Sequence, residues 1–169
     1  MKRYMLIALA VALVLGALIA SGSFSRATAK EPKIPEFDTM VGIPPAFTGI
    51  QNPIRGINGG GIPWAISSGS GELKTNGKLE ISVQGLVLAA GANAGSNPIA
   101  NFRAIVSCLT SDGSAVNVTT GLFPATTGPA SAGGGNAKIE ATLTLPQPCI
   151  APIVFVTSPT GAWFAATGK

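Results

Sequence analysis

Apolar and polar residues alternate over several stretches of the chain, which is the period of a β-strand with one buried face. Leu79, Ile81 and Val83 alternate with polar or charged residues in the clearest case. The same period returns over residues 137–145. Because successive side chains of a strand point to opposite faces of its sheet, both stretches predict strands that are apolar on one side.

Turn signals and apolar runs complete the predicted pattern. Asn76-Gly77 and Asp112-Gly113 indicate hairpins, since these residues tolerate the positive φ of tight turns. Residues 86–90 and 150–156 are almost entirely apolar and predict strands buried on both faces. The pattern predicts an all-β fold, a mostly antiparallel β-sandwich of about seven or eight strands with jelly-roll or immunoglobulin-like topology. The predicted strands are 64–73, 79–84, 86–90, 102–109, 115–123, 137–145, 150–156 and 162–166.

The N-terminus has the pattern of a signal peptide. A short basic start precedes the apolar run 5–20, which is shorter than the ~20 residues that a membrane-spanning helix needs. Ala27-Thr28-Ala29 then matches a signal-peptidase site, so cleavage is predicted between Ala29 and Lys30. Residues 1–29 are thus a predicted signal helix that is removed on export. The alternative is an uncleaved membrane anchor.

Residues 30–62 are rich in proline and glycine and predict an extended arm with at most one short strand. Apolar residues such as Ile43, Phe47 and Ile57 are too frequent there for a simple linker. We therefore expect some of them to pack along the surface or edge of the domain. The β-sandwich domain itself is predicted to span residues 63–169.

The composition excludes most catalytic chemistry. The chain of 169 residues has no histidine, and only 11% of its residues are charged. Without histidine there is no Ser-His-Asp triad, no Cys-His pair and no histidine-ligated metal. The sequence also carries no cofactor-binding motif, and we expect no cofactor.

The charge pattern argues against nucleic acid as a partner. Removal of the signal segment would take away Lys2, Arg3 and Arg26 but no acid, which leaves the remaining charges nearly balanced. The remaining basic residues are scattered singly, whereas a nucleic-acid interface clusters them. Contact with a membrane is expected only through an uncleaved signal segment.

The two cysteines predict one disulfide. Cys108 and Cys149 both follow the predicted signal segment, and an exported domain with two cysteines usually pairs them. Closing this loop in the unfolded chain would stabilise the fold by about 4 kcal/mol. The alternative, a reactive thiol, would need a neighbouring base or cluster of cations to lower its pKa, and the sequence shows none nearby.

Two tryptophans carry the main ligand-binding alternative. An exposed indole on a β-sandwich can stack against a sugar ring, which would make Trp64 or Trp163 part of a carbohydrate-binding module. Both residues lie in apolar stretches, however, which favours burial in the core or under the arm. The carbohydrate alternative requires that at least one indole is exposed beside polar groups.

Carboxylates offer the only other chemistry. Two facing acids can hydrolyse a glycosidic bond, but Glu72, Glu80 and Glu140 occupy polar positions of alternating strands, which favours solvated surface roles. Asp112 lies in a turn, and together with Ser114 it supplies too few oxygens to predict a calcium site. The acidic residues of the chain are Glu31, Glu36, Asp38, Glu72, Glu80, Asp112 and Glu140.

Two blocks resemble a known group of proteins. The blocks are Ile54-Arg55-Gly56-Ile57-Asn58-Gly59-Gly60-Gly61-Ile62-Pro63-Trp64 and residues 148–156 with 161–165, and the predicted hairpin at 71–73 lies between them. Residues 54–168 resemble small exported proteins of soil bacteria and related lineages that have no assigned activity. The resemblance implies a bacterial exported domain and supplies no catalytic residues.

These observations predict an exported, non-enzymatic β-sandwich, secreted or held at the cell surface, that serves as a binding or structural module for a glycan or protein partner. Two alternatives stay open: a carbohydrate-binding module that uses Trp64 or Trp163, and a carboxylate-dependent hydrolase.

Overall fold

The structure, a computed structural model, describes residues 33–167 of the chain. The predicted signal segment 1–29 and its cleavage site at Ala29 and Lys30 lie outside these residues. Within the described part, no helix has the length and apolar character needed to cross a bilayer.

Short strands joined by turns make up the described chain, with single 3-10 turns at Pro45–Phe47 and Ala130–Ala132. In chain order the strands are β1 (Lys33–Phe37), β2 (Met40–Gly42), β3 (Trp64–Ala65), β4 (Ser68–Lys74), β5 (Lys78–Gln84), β6 (Val87–Leu88), β7 (Ser96–Asn97), β8 (Asn101–Leu109), β9 (Ala115–Thr119), β10 (Phe123–Pro124), β11 (Gly128–Pro129), β12 (Ala137–Thr142), β13 (Ile150–Thr157) and β14 (Trp163–Thr167).

Two main sheets face each other. Sheet A has four strands in the order β1-β4-β5-β12, and sheet B has six, in the order β10-β8-β13-β14-β2 with β9 also paired to β8. The pairings within both sheets are antiparallel. Two short ribbons, β3-β6 and β7-β11, complete the fold. The predicted all-β antiparallel sandwich is confirmed.

The core lies between the two sheets. Leu79, Ile81 and Val83 supply the inward face of β5, as their alternation predicts, and each is at least nine-tenths buried. Trp64 of β3 packs against sheet B, because its ring stacks on Phe164 of β14 with the ring centroids 3.9 Å apart. One apolar cluster therefore includes residues of both sheets.

The arm contributes more structure than the sequence predicts. Strand β1 pairs with β4 at the edge of sheet A, and β2 pairs with β14 at the edge of sheet B. Proline is tolerated in an edge strand, which is why Pro35 does not prevent β1 from forming. Both strands belong to the sandwich, so the boundary predicted at residue 63 does not separate an arm from a domain.

The rest of the arm covers the outer face of sheet B. Phe47 meets the Trp163 ring edge-on at a centroid distance of 6.3 Å, and Trp163 in turn packs against Phe155 at 5.9 Å. The backbone fixes this contact, because Trp163 N donates to the Asn58 carbonyl at 3.0 Å and Gly60 N donates to the Trp163 carbonyl at 2.9 Å. The arm thus covers the outer face of sheet B around Trp163 and Phe155.

Arg55 attaches the arm to sheet B where the strand pairing is irregular. The ladder between β8 and β13 shifts register between Ile150 and Ile153, and Pro152 has no N–H to donate there. Arg55 Nη1 donates to the Ser107 carbonyl and Arg55 Nη2 to the Ala151 carbonyl, each at 2.8 Å. The guanidinium therefore satisfies backbone acceptors at a bulge.

The predicted disulfide between Cys108 and Cys149 is confirmed. Its Cα atoms are 4.9 Å apart and 41 residues separate the two cysteines in sequence. Cys108 lies on β8, and Cys149 immediately precedes the neighbouring strand β13. The bridge therefore ties two central strands together beside the bulge that Arg55 holds.

Replacing Arg55 by alanine should lower the free energy of unfolding by about 1.5 kcal/mol, because two hydrogen bonds from a charged donor are lost. Urea denaturation at neutral pH measures this effect. The control Lys138→Ala removes an exposed cation from sheet A and should leave the midpoint almost unchanged. Equal midpoints for Arg55→Ala and the unmodified protein would show that the two hydrogen bonds of the Arg55 guanidinium contribute nothing to stability.

Candidate functional site

Neither tryptophan can stack against a ligand in this structure. Trp64 is 5% and Trp163 is 3% exposed, so no indole face reaches solvent. Trp64 lies in the core against Phe164, and Trp163 lies between Phe155 and the arm residue Phe47. The exposure that the carbohydrate alternative requires is absent, because packing uses both rings.

The fold brings four glutamates into one row on the outer face of sheet A. Glu36 pairs with Glu72, Glu72 with Glu80 and Glu80 with Glu140, each directly across neighbouring strands. Like charges in such positions destabilise a sheet. The sequence places these residues on polar faces, but only the strand register aligns them.

Lysines two residues away on the same strands balance the row. Lys74 Nζ lies 3.0 Å from a Glu72 carboxylate oxygen, and Lys78 Nζ lies 2.5 Å from Glu80. Residues two apart in a strand point to the same face, so each pair forms within one strand. The face therefore carries paired charges of both signs.

Glu140, the last glutamate of the row, does not suit the role of a hydrolase acid. A glycosidase acid needs a raised pKa so that it can hold a proton. A hydrogen bond from Lys138 and its positive charge instead lower the pKa of Glu140. A cleft of about 290 Å³ runs along this face, and Glu36, Glu72, Glu80 and Lys138 are among the residues that line it.

Asp112 has a local structural role. Its carboxylate accepts hydrogen bonds from the Thr110 hydroxyl and from the backbone N–H and hydroxyl of Ser114, the last two at 3.2 and 3.0 Å. The bond from Thr110, followed by those from Ser114, lowers the pKa of Asp112. Both oxygens stabilise the β8–β9 turn.

Within residues 33–167, no group of three or more acidic, cysteine or histidine residues could hold a metal ion.

A second cleft opens on the sheet B side beside the arm, with a volume of about 400 Å³. Small-molecule sites typically fall in the range of ~300–1,000 Å³. We name it the Arg103 cleft after its one charged residue. The polar side chains that line it are those of Asn58, Arg103, Asn117, Thr119 and Thr160.

Separate segments position these side chains. Arg103 lies on β8 opposite Thr157 of β13, and Thr157 lies opposite Trp163 of β14, so the three form one cross-strand row. Asn58 is held by the hydrogen bond from Trp163 N to its carbonyl. Thr160 belongs to the β13–β14 turn, where its hydroxyl lies 2.9 Å from the Ser158 hydroxyl.

The guanidinium of Arg103 lacks a partner. Its Nε is buried without a hydrogen bond, and no ion pair joins Arg103 to an acid among residues 33–167. The cleft is lined by no acidic residue. Asp112 lies past the far end of β8, about 20 Å along the strand from Arg103. The cleft therefore presents an uncompensated positive charge.

Sequence reasoning missed this cleft. Arg103 is a single basic residue in an apolar strand, and the other lining residues lie in the arm, in β9 and in the β13–β14 turn. No short motif joins them. The only signal available was a charged residue within a stretch that otherwise reads as a buried strand.

Comparisons with known proteins give no match: no family model, no curated protein and no solved structure corresponds to this chain. The resemblance of residues 54–168 to small exported bacterial proteins therefore stays a prediction.

Stability should decrease in acid, with Asp112 as one contributor. A carboxylate whose pKa is lowered by folding stabilises the native state above its unfolded pKa of about 4, and this contribution is lost as the pH falls through the folded pKa. Asp112→Ala should therefore melt below the unmodified protein at pH 7, and the two should converge near pH 2. Thermal melts followed by circular dichroism between pH 2 and pH 7 test this prediction. A difference in melting temperature between the two proteins that stays constant over this range would contradict it.

Proposed function

We propose that this protein is an exported, non-enzymatic β-sandwich that binds a small polar ligand in the Arg103 cleft. The observation that carries the proposal is the Arg103 guanidinium, which has no acidic partner among the described residues and lines a cleft without an acid. Its Nε is buried, but its terminal nitrogens are not, so a ligand in the cleft can accept hydrogen bonds from them.

The shape and lining of the cleft support a binding role. Ligand sites are concave and combine apolar walls with a few convergent polar groups. Ile57 and Ile105 form apolar walls here, and amide, hydroxyl and guanidinium groups converge between them. The residues come from the arm and from two strands of sheet B, which hold them on a rigid support.

The lack of reactive groups supports a non-enzymatic role. The chain has no histidine, and both cysteines are in the disulfide. Three of the four glutamates in the row on sheet A, Glu72, Glu80 and Glu140, are each paired with a lysine. A hydrolase of the carboxylate type would need one of them protonated.

Two features support export. Residues 1–29 have the pattern of a signal peptide, and the Cys108–Cys149 disulfide is compatible with an oxidising environment. The proposed location is outside the cytoplasm, secreted or at the surface of a bacterial cell.

Export can be tested by expression of the full chain in a bacterial host, followed by mass analysis of the protein recovered outside the cytoplasm. We expect a chain that begins at Lys30 and takes up alkylating reagent only after reduction. A full-length chain in the cytosol with two free thiols would contradict the proposed location.

Binding can be tested by titrating the isotope-labelled protein with neutral sugars, sugar acids and amino acids while recording amide chemical shifts. At least one compound class should give saturable shifts at Asn58, Arg103 and Gly161, with no turnover on prolonged incubation. Shifts confined to the glutamate row of sheet A would place the site elsewhere. No saturable shift from any compound, or a chemically altered ligand, would contradict the proposed function.

A further inference from the structure

Resting on the proposed function, we infer that the ligand of the Arg103 cleft is an acidic saccharide. Its carboxylate binds the Arg103 guanidinium, and its hydroxyls bind Asn58, Asn117 and Thr119. The inference joins two properties of the cleft, an uncompensated cation and a set of uncharged polar groups.

The charge of the cleft favours an anionic ligand. Arg103 is half-buried and positively charged. The other arginine described, Arg55, donates to two backbone carbonyls and needs no further acceptor. Arg103 has no comparable contact, and its Nε is buried. A ligand anion would supply the acceptor that the protein does not.

The site favours a carboxylate over a phosphate. The guanidinium fork matches a planar carboxylate with two parallel hydrogen bonds. Arg103 is the one cation that lines the cleft, whereas a phosphate monoester carries up to two negative charges near neutral pH. A single positive charge balances a carboxylate completely.

The other side chains favour a ligand rich in hydroxyls. Asn58 and Thr119 have no side-chain hydrogen bond to a described residue. The Asn117 amide nitrogen donates to the Arg55 carbonyl at 3.0 Å, which leaves its side-chain oxygen as an acceptor. Amide and hydroxyl groups both donate and accept, as sugar hydroxyls require of their partners.

The walls and the wider charge distribution are compatible with this ligand. Ile57 and Ile105 offer apolar surface for the C–H groups of a sugar ring. The glutamate row lies on the outer face of sheet A, with the core and sheet B between it and the cleft. The aligned carboxylates therefore lie on the opposite side of the sandwich from Arg103.

The test is calorimetric titration of the purified full chain with D-glucuronate, D-galacturonate and N-acetylneuraminate, with D-glucose and acetate as comparison ligands. At least one sugar acid should bind about tenfold or more tightly than glucose and acetate. Arg103→Gln should weaken that binding by about tenfold or more, and Asn58→Ala by a smaller factor. The matched control Lys138→Gln removes one positive charge from sheet A and should bind as the unmodified protein does.

The outcomes separate this inference from the proposed function. If glucose binds in the cleft as tightly as the sugar acids and Arg103→Gln has no effect, the ligand is neutral; the inference then fails while the binding function stands. If acetate binds as tightly as the sugar acids, the cleft is a simple carboxylate site and the inference of a saccharide ligand is wrong. If nothing binds in the cleft, both fail. Melting temperatures show whether Arg103→Gln is folded. Asn58→Ala changes a residue outside the strands and tests the cleft if Arg103→Gln does not fold.

Discussion

The central strands β13 and β14 of sheet B carry apolar side chains on both faces, and this constraint organises the rest of the structure. Val154, Val156 and Phe164 face the core, whereas Phe155 and Trp163 of the same strands pack on the opposite side. A sheet face of this kind must be buried, because exposed apolar surface costs free energy in proportion to its area. The proline- and glycine-rich arm provides the cover, and Arg55 holds it against the bulge between β8 and β13. The disulfide then joins these two strands at the same end of the sheet.

The Arg103 cleft is a consequence of that arrangement. The arm covers Trp163 with Phe47 and passes on through Ile57 and Asn58, and the cleft opens where this segment meets β8, β9 and the β13–β14 turn. A polar residue at the margin of a covered sheet can be partly buried without reaching a partner on the protein, which is the situation of Arg103. The arm that covers sheet B therefore also forms one wall of the candidate site.

The outer face of sheet A follows a different physical rule. Its glutamates face one another across strands, and lysines placed two residues away on the same strands offset the repulsion. The four aligned glutamates and their lysines consequently lie on one side of the sandwich, and the two described arginines lie on the other. The two faces therefore differ chemically, although both sheets are built from similar antiparallel strands.

Local sequence was sufficient for the features that depend on neighbours along the chain. The alternation in 79–83 and the Asn76-Gly77 and Asp112-Gly113 turns predicted strands and hairpins that the structure contains, because strand period and turn φ are properties of a few consecutive residues. The count of cysteines predicted their pairing. The apolar contexts of Trp64 and Trp163 likewise favoured their burial, which the structure confirms. Tertiary structure alone decided the two strands within the arm, the glutamate row and the cleft around Arg103. Each of these depends on strand register or on contacts between segments far apart in sequence, which no local pattern encodes.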